Sequence, residues 1–401
     1  EAGPDFSAET CPQASLSDLD LAAIEDFRVR WRRKTNNDAL VNLSAEQLLT
    51  DAELMVDGKL TYAALVLFGT RQALGRYLAQ AEVIFEYRSS EASGPAAQRI
   101  EFRQGFLLFR DELWQTINLR NDVQHFQDGL FVYDVPTFNE VAVREAILNA
   151  VSHRDYRHGG SIFVRQYPRK LEIVSPGGFP PGITTENILW QQFPRNRRIA
   201  EACVKCGLVE RAGQGANRIV EECIKESKSL PDFSGTDAYQ VFITYHGEIK
   251  DPLFLRFLNK LEREQVASFT TRDWLVLDSV RRNQPIADDL QSNLSELLRE
   301  GLIEKIGRGR GMRYVLGREF VSRTEAQSPT PDASRQVGRF SVKNSLLELI
   351  ADSKEAGVAL NDLMQAQPDL TRRQVQNLLR ELLDEGRVRV VGRTKAARWY
   401  I

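Results

Sequence analysis

Residues 144–156 read REAILNAVSHRDY, and the spacing inside this stretch governs how the rest of the chain is read. Glu145, Asn149 and His153 recur every fourth position among alanine, isoleucine, leucine and valine. In an α-helix that spacing puts side chains on one face. The stretch therefore predicts a mostly apolar helix carrying a polar stripe. Such a stripe is either the wet face of an ordinary helix or one wall of a site, and its neighbours decide which. For His153 the expected role is a local hydrogen bond.

Downstream, SIFVRQY and KLEIVS flank a Pro-Arg turn and predict a β-hairpin that ends in SPGG (175–178). A glycine-proline stretch follows (176–188), then the helical pattern RIAEACVKCGLVE. AGQGANRI (212–219) is a Gly-rich turn opening a helix, and AYQVFITY (238–245) is a strand. A carboxylate beside an amide oxygen suits a Mg²⁺ site, with Asn149 as ligand and Glu145 orienting or deprotonating a water. A Gly-rich turn at a helix N-terminus offers backbone N–H groups to phosphate. Upstream, SDLDLAAIEDFRVRWRRK (17–34) predicts a capped helix with a basic end. LSAEQLLTDAELMVDGKLTYAALVLFG (43–69) predicts two short helices around a turn, AEVIFEYR (81–88) a strand, and 101–128 one long helix.

The order of these elements resembles the Bergerat-fold (GHKL-type) ATP-binding family, and most nearly its RecG-related, Schlafen-AlbA-associated regulators. The resemblance is carried by REAILNAVSHRDY, LEIVSPGGFPPGIT, PRNRRIAEACVKCGLVERAGQGANRIVEEC and DGKLTYAALVLFG, and it covers roughly residues 40–250. It implies ATP and Mg²⁺ as cofactors. It assigns Asn149 to Mg²⁺, Glu145 to the activated water, Gly177 and Gly178 to a first Gly motif, and Gly213 and Gly215 to a second. The family opens its first Gly motif with an Asp that bonds the adenine amino group. Here Ser175 and Pro176 stand there, and Ser175 is the nucleotide-contacting candidate, a weaker acceptor than a carboxylate. The family also implies an N-terminal AlbA-like domain, which the opening PDFSAE would follow. No G-x-x-x-x-G-K-[ST] occurs, so a helicase motor is excluded. HRD (153–155) matches a kinase triplet, but neither DFG nor a kinase Gly-rich loop accompanies it.

Bulk properties agree with a multidomain globular chain. Of 401 residues, 42% are hydrophobic and 27% charged, and the formal net charge is -2, so any nucleic-acid surface must be local. Four cysteines in this length are too few for a disulfide framework, and the expected compartment is a reducing bacterial cytoplasm. Cys203 and Cys206 form a lone CxxC and read as small apolar residues on a helix. No apolar run approaches the roughly 20 residues of a membrane span.

Beyond Pro252 the pattern repeats at an offset of 85 residues: ELLREGLIEKIGRGRGMRYVL (296–316) aligns with ELLDEGRVRVVGRTKAARWYI (381–401). Each copy reads as a helix end followed by a β-wing. In the second, LTRRQVQNLLRELLDEG (370–386) predicts a recognition helix with Leu378, Leu379 and Leu382 inward. Arg372, Arg373, Gln376 and Asn377 lie where base edges are read, and Arg393, Lys395 and Arg398 in the wing face phosphates. In the first copy Asp288 and Asp289 would repel phosphate, leaving the wing residues Arg308 and Arg310 as its DNA candidates.

The expected architecture is thus α+β: an N-terminal tail and helix (1–39), a Bergerat-like α/β sandwich (40–250), a winged helix (255–320), a linker (321–339) and a second winged helix (340–401). The expected function is a DNA-binding transcriptional regulator of double-stranded DNA, assembling as a homo-oligomer with a dimer favoured. Its rivals are an ATPase acting in DNA transactions or defence, and a scaffold with a degenerate nucleotide site.

Overall fold

The structure, a computed structural model, describes residues 5–92, 94–128, 131–191, 193–209, 215–263, 269–307 and 312–317. Further on it describes 350, 357–366, 375, 378–380, 382–383, 387–391 and 398–400. The chain divides into two compact units, Glu1–Arg323 and Thr324–Ile401.

In the first unit, Asp20 accepts from the backbone N–H groups of Ala22 and Ala23 and so starts α1 (Leu21–Thr35). Arg32, Arg33 and Lys34 end it, where cations oppose the negative pole of the helix. There follow α2 (Ala45–Asp51), the small hairpin β1 (Met55–Val56) and β2 (Lys59–Leu60), α3 (Tyr62–Phe68) and α4 (Arg71–Tyr77). Phe27 of α1, residues 63–68 of α3 and Leu49 of α2 are buried together with the sheet below. A fully buried Phe or Leu contributes about 1.5–3 kcal/mol over an exposed one. As far as they are described, the residues expected as an N-terminal tail and helix are therefore part of the same core.

The expected single helix over 101–128 is instead β4 (Gln98–Phe102), α5 (Phe106–Asn118) and β5 (Val123–Asp128). The reason is a change of period. Ile100 and Phe102 alternate with Arg99, Glu101 and Arg103, a two-residue repeat that suits a strand beside β3 (Val83–Tyr87). β5 pairs with β6 (Phe131–Pro136). Then come α6 (Glu140–His153), β7 (Ile162–Gln166), β8 (Lys170–Pro176), α7 (Arg197–Lys205), α8 (Gly215–Lys225) and β9 (Gln240–His246). The main sheet has the order β4-β3-β7-β8-β9, with β3 and β7 parallel and the other neighbours antiparallel. Phe85, Val164, Ile173 and Ile243 follow one another across the register, buried under the helical layer.

α9 (Pro252–Arg263), α10 (Thr271–Arg281), α11 (Gln291–Arg299), β10 (Ile303–Ile306) and β11 (Arg313–Leu316) build a second core. That core includes Val220 and Ile224 of α8, so this part packs directly on the helix that borders the site. In the second unit, β12 (Val358–Ala359), α12 (Leu360–Ala366), β13 (Arg389–Val391) and β14 (Arg398–Tyr400) form a three-stranded sheet with its helix. Val375, Leu378, Leu379 and Leu382 are buried there. The hairpins of the two units stand at the positions that the 85-residue repeat predicts. Arg398 donates to the Gly357 carbonyl (2.8 Å), a structural contact within its own sheet. The candidate DNA residues Arg308, Arg310, Arg372, Arg373, Gln376, Asn377, Arg393 and Lys395, and the linker 321–339, lie outside the described residues. No helix among the described residues is long and apolar enough to cross a membrane.

Candidate functional site

α6 is set by its cap and its small residues. Asn139 accepts from the N–H of Ala142 (3.0 Å), and its own amide donates to Glu226 at the far end of α8 (2.7 Å), fixing where the two helices start and stop against each other. Ala142, Ala146 and Ala150 keep α6 slim, and α8 packs along it. Where they meet, the polar stripe touches Gly215, the first residue of α8. A Cβ on Gly215 would overlap Glu145 Oε1 and lie 2.7 Å and 2.9 Å from Asn149 Nδ2 and Oδ1. A side chain at 215 would have to push these two side-chain tips aside.

These residues line a cavity that opens to solvent at its mouth. Glu145, Asn149, Ser152, His153 and Ser175 give it polar points, and Ile173, Ile183, Ile188, Ile219 and Phe233 give it apolar walls. Such a mixture suits a small molecule with a flat apolar body and a few polar anchors. Glu145 is 5% exposed, and no hydrogen bond or ion pair to its carboxylate is found among the described residues. Burial raises its pKa above the usual carboxylate value, while the charge of Arg218 opposes the shift. Beneath it the hydroxyl of Tyr245 is buried without a hydrogen-bond partner among the described residues.

Ser175 is buried at the end of β8, and its Oγ donates to the Ala150 carbonyl of α6 (3.0 Å). Its hydrogen is thereby committed, so what it offers the cavity is an acceptor lone pair. The first Gly motif does not present open donors. Gly177 N–H donates to the Tyr239 carbonyl (2.7 Å) and Gly178 N–H to that of Ala238 (3.3 Å). The two glycines shape the wall instead. Gly177 has φ +91°, and a Cβ there would meet Arg195 and, at 2.6 Å, Asp155. Gly213 lies outside the described residues.

His153 at the cavity, with Arg195 beside it, was not expected. His153 lines the cavity, and its ring bonds to the backbone of Phe193. Burial and the neighbouring Arg195 charge push its pKa down to about 4, so the imidazole is neutral near pH 7. Arg195 donates to the Gly178 carbonyl (2.6 Å). The glycine-proline stretch gave the other missed element. Its apolar residues Phe179, Ile183 and Ile188, spaced four and five apart, were the signal that it would form a wall. Arg154, by contrast, is wholly structural. It is fully buried, with its guanidinium on the carbonyls of Gln80 (2.5 Å) and His158 (2.7 Å) and over the Tyr156 ring. Cys203 and Cys206 are buried, and burial raises both thiols, Cys206 to about 11, so they pack as neutral groups.

Residues 159–244 match an ATPase-type domain family described as "Putative ATP-dependent DNA helicase recG C-terminal" (HATPase_c_4). That span holds Ser175 and both Gly motifs, and it begins after Glu145 and Asn149. Residues 1–84 match a domain of unknown function, DUF8451. No curated protein matches the chain. Among solved structures, the DIP2311 protein from Corynebacterium diphtheriae is similar over 100% of this chain and 70% of its own, with a TM-score of 0.63 and 24% identity. The likeness to that protein is one of fold.

Proposed function

We propose that the chain is a DNA-binding regulator whose cavity between α6, β8 and α8 takes a nucleotide with Mg²⁺. The observation that carries this reading is the meeting of Glu145, Asn149 and Gly215 at one wall of an open cavity with polar points and apolar walls. The ATPase-type match over 159–244 supports it. The donor set fits a hard cation. The Asn149 amide oxygen and the Glu145 carboxylate border the cavity with no hydrogen-bond partner among the described residues, and Mg²⁺ prefers oxygen ligands with several waters retained. Asn149 would hold the ion, which would neutralise phosphate charge. Ser175 accepts from a donor edge of the ligand. The α8 N-terminus lends its positive pole to the phosphates.

Titration calorimetry with ATP and Mg²⁺ tests the reading, wild type against Asn149→Ala. Binding that the variant weakens tenfold or more supports it. Absence of binding in both would overturn it and leave a scaffold with a degenerate site.

Hydrolysis is a second reading, favoured by one observation: burial raises the Glu145 pKa toward the pH at which a general base works best. Phosphate release with and without duplex DNA, with Glu145→Ala as control, separates an ATPase from a binder.

Nucleic-acid contact would come from the two repeat copies, with Arg372, Arg373, Gln376 and Asn377 reading bases and Arg393, Lys395, Arg308 and Arg310 on phosphates. The matching hairpins and the buried leucines of the second copy support this assignment. A homodimer would present two such readers to a palindromic site.

A further inference from the structure

We infer that Arg272 is a relay, carrying the state of the cavity wall to the head of α11 through Trp190 on one side and Asp289 on the other. The inference takes the cavity of the proposed function as its input and adds how that cavity is regulated. Three sets of contacts support it.

The wall between Ile183 and Phe193 faces two ways. Ile183, Ile188 and Phe193 line the cavity, whereas Leu189, next to Ile188, packs against the core of α9, α10 and α11. Trp190, one residue on, lies under the Arg272 guanidinium, 4.5 Å from its ring centroid. The same guanidinium donates to the Asp289 carbonyl (2.8 Å) and side chain (3.3 Å), at the turn that begins α11. One cation thus joins the cavity wall to the N-terminal end of α11, the helix that precedes the β10–β11 hairpin.

α8 faces two ways as well. Gly215 meets Glu145 and Asn149, and Ile219 lines the cavity, while Val220 and Ile224 belong to the core of the C-terminal helices. Glu221 of α8 accepts from the Thr271 hydroxyl, one residue before Arg272, and Lys225 lies over the Trp274 ring. Both walls of the cavity therefore bear on α10, and a ligand that shifts either one shifts α10 with it.

The relay also changes the charge that the first copy presents. With Arg272 in place, Asp289 is neutralised; with Arg272 withdrawn, Asp288 and Asp289 stand as an uncompensated acidic pair at the start of α11. An occupied cavity holds the wall, Trp190 and Arg272 together, and so keeps that pair partly masked. The contacts are at the surface, so the relay weakens as salt rises.

Hydrogen exchange by mass spectrometry on the full chain tests the relay in two arms, read over residues 288–299, with peptides from the β7–β8 hairpin as a control for folding. In the first arm no ligand is added, and wild type is compared with Trp190→Ala and Arg272→Ala. Trp190 is 38% exposed, which makes its truncation tolerable to the fold. Exchange over 288–299 should rise about two- to fivefold in both variants, as expected for the loss of a surface cation–π contact, with the hairpin unchanged. Unchanged exchange over 288–299 in Trp190→Ala overturns the relay. In the second arm ATP and Mg²⁺ are added, and binding is followed by calorimetry. Slowed exchange over 288–299 in wild type, lost in Arg272→Ala, supports the relay, and binding with no change there overturns it. If ATP does not bind, the nucleotide reading alone falls, because the ligand-free arm still decides the relay.

Discussion

Replacing Glu145 by Gln should make the ligand-free protein more stable at neutral pH while weakening its site. The side chain is 5% exposed, with no hydrogen-bond or ion-pair partner for its carboxylate among the described residues. An unsatisfied buried polar group costs about 1–3 kcal/mol. Glu145 borders the open cavity, so the lower part of that range, about 1–2 kcal/mol, is the expected gain for an uncharged amide of the same shape. Glu145 lies in the unit Glu1–Arg323. At about 2.1 cal/mol/K per residue each kcal/mol moves the Tm of a unit of that size by about 1.5 °C, which gives a rise of roughly 1.5–3 °C by scanning calorimetry at pH 7.5. The pH dependence follows from the direction of the shift. Folding favours the protonated form, because burial raises the pKa. The contribution of this group is complete below the unfolded carboxyl pKa of about 4.3 and is lost as pH rises through the folded value. The gap in Tm between variant and wild type should therefore be small in acid and open toward neutrality. A Gln variant that is less stable than wild type at pH 7.5, or a gap that does not change with pH, would refute the picture of an unpaired carboxylate kept for a ligand.

Gly215→Ala should change stability in denaturant unfolding by less than about 1 kcal/mol, because the displacement of the Glu145 and Asn149 tips offsets the small gain of alanine at a helix start. Calorimetric binding of ATP should fall in this variant. Arg154→Met should cost about 3–5 kcal/mol, since it removes a fully buried cation and leaves the Gln80 and His158 carbonyls unpaired. A variant as stable as wild type would show that Arg154 is not the clamp described. Arg372→Ala with Arg373→Ala should weaken the gel shift of a random duplex. An unchanged shift would assign the reading helix elsewhere.

Much of the first unit was legible because its periods are clean. The 3.6-residue pattern gave α6 and α8, and the two-residue pattern gave the hairpin β7–β8 and the strand β9. The stretch 101–128 was misread because α5 is bounded by strands whose exposed faces are charged. Arg99, Glu101 and Arg103 look like the wet side of a helix until their alternation with Ile100 and Phe102 is counted. The Gly motif at 177–178 was legible in place and not in role. Its N–H groups pair with the strand segment just before β9, some 60 residues downstream, and no local pattern announces that pairing. His153 and Arg195 were hidden for a similar reason: their neighbour Phe193 comes from a loop whose path is set by tertiary contacts.

REAILNAVSHRDY holds two polar side chains of opposite fate, and the difference between them is the best physical guide to the site. Arg154 is the more deeply buried; two carbonyls and an aromatic ring surround its guanidinium, so it stabilises the turn after α6, although its Nε has no partner among the described residues. Glu145 has no described partner, lies against Gly215, and borders a cavity. Stability alone would fill that position with an apolar residue or pair the carboxylate, because a buried charge without a partner weakens the fold. A carboxylate so placed is what the proposed nucleotide site would need. Burial by itself therefore does not distinguish the two side chains; what each polar group faces does, carbonyls for Arg154 and a cavity for Glu145.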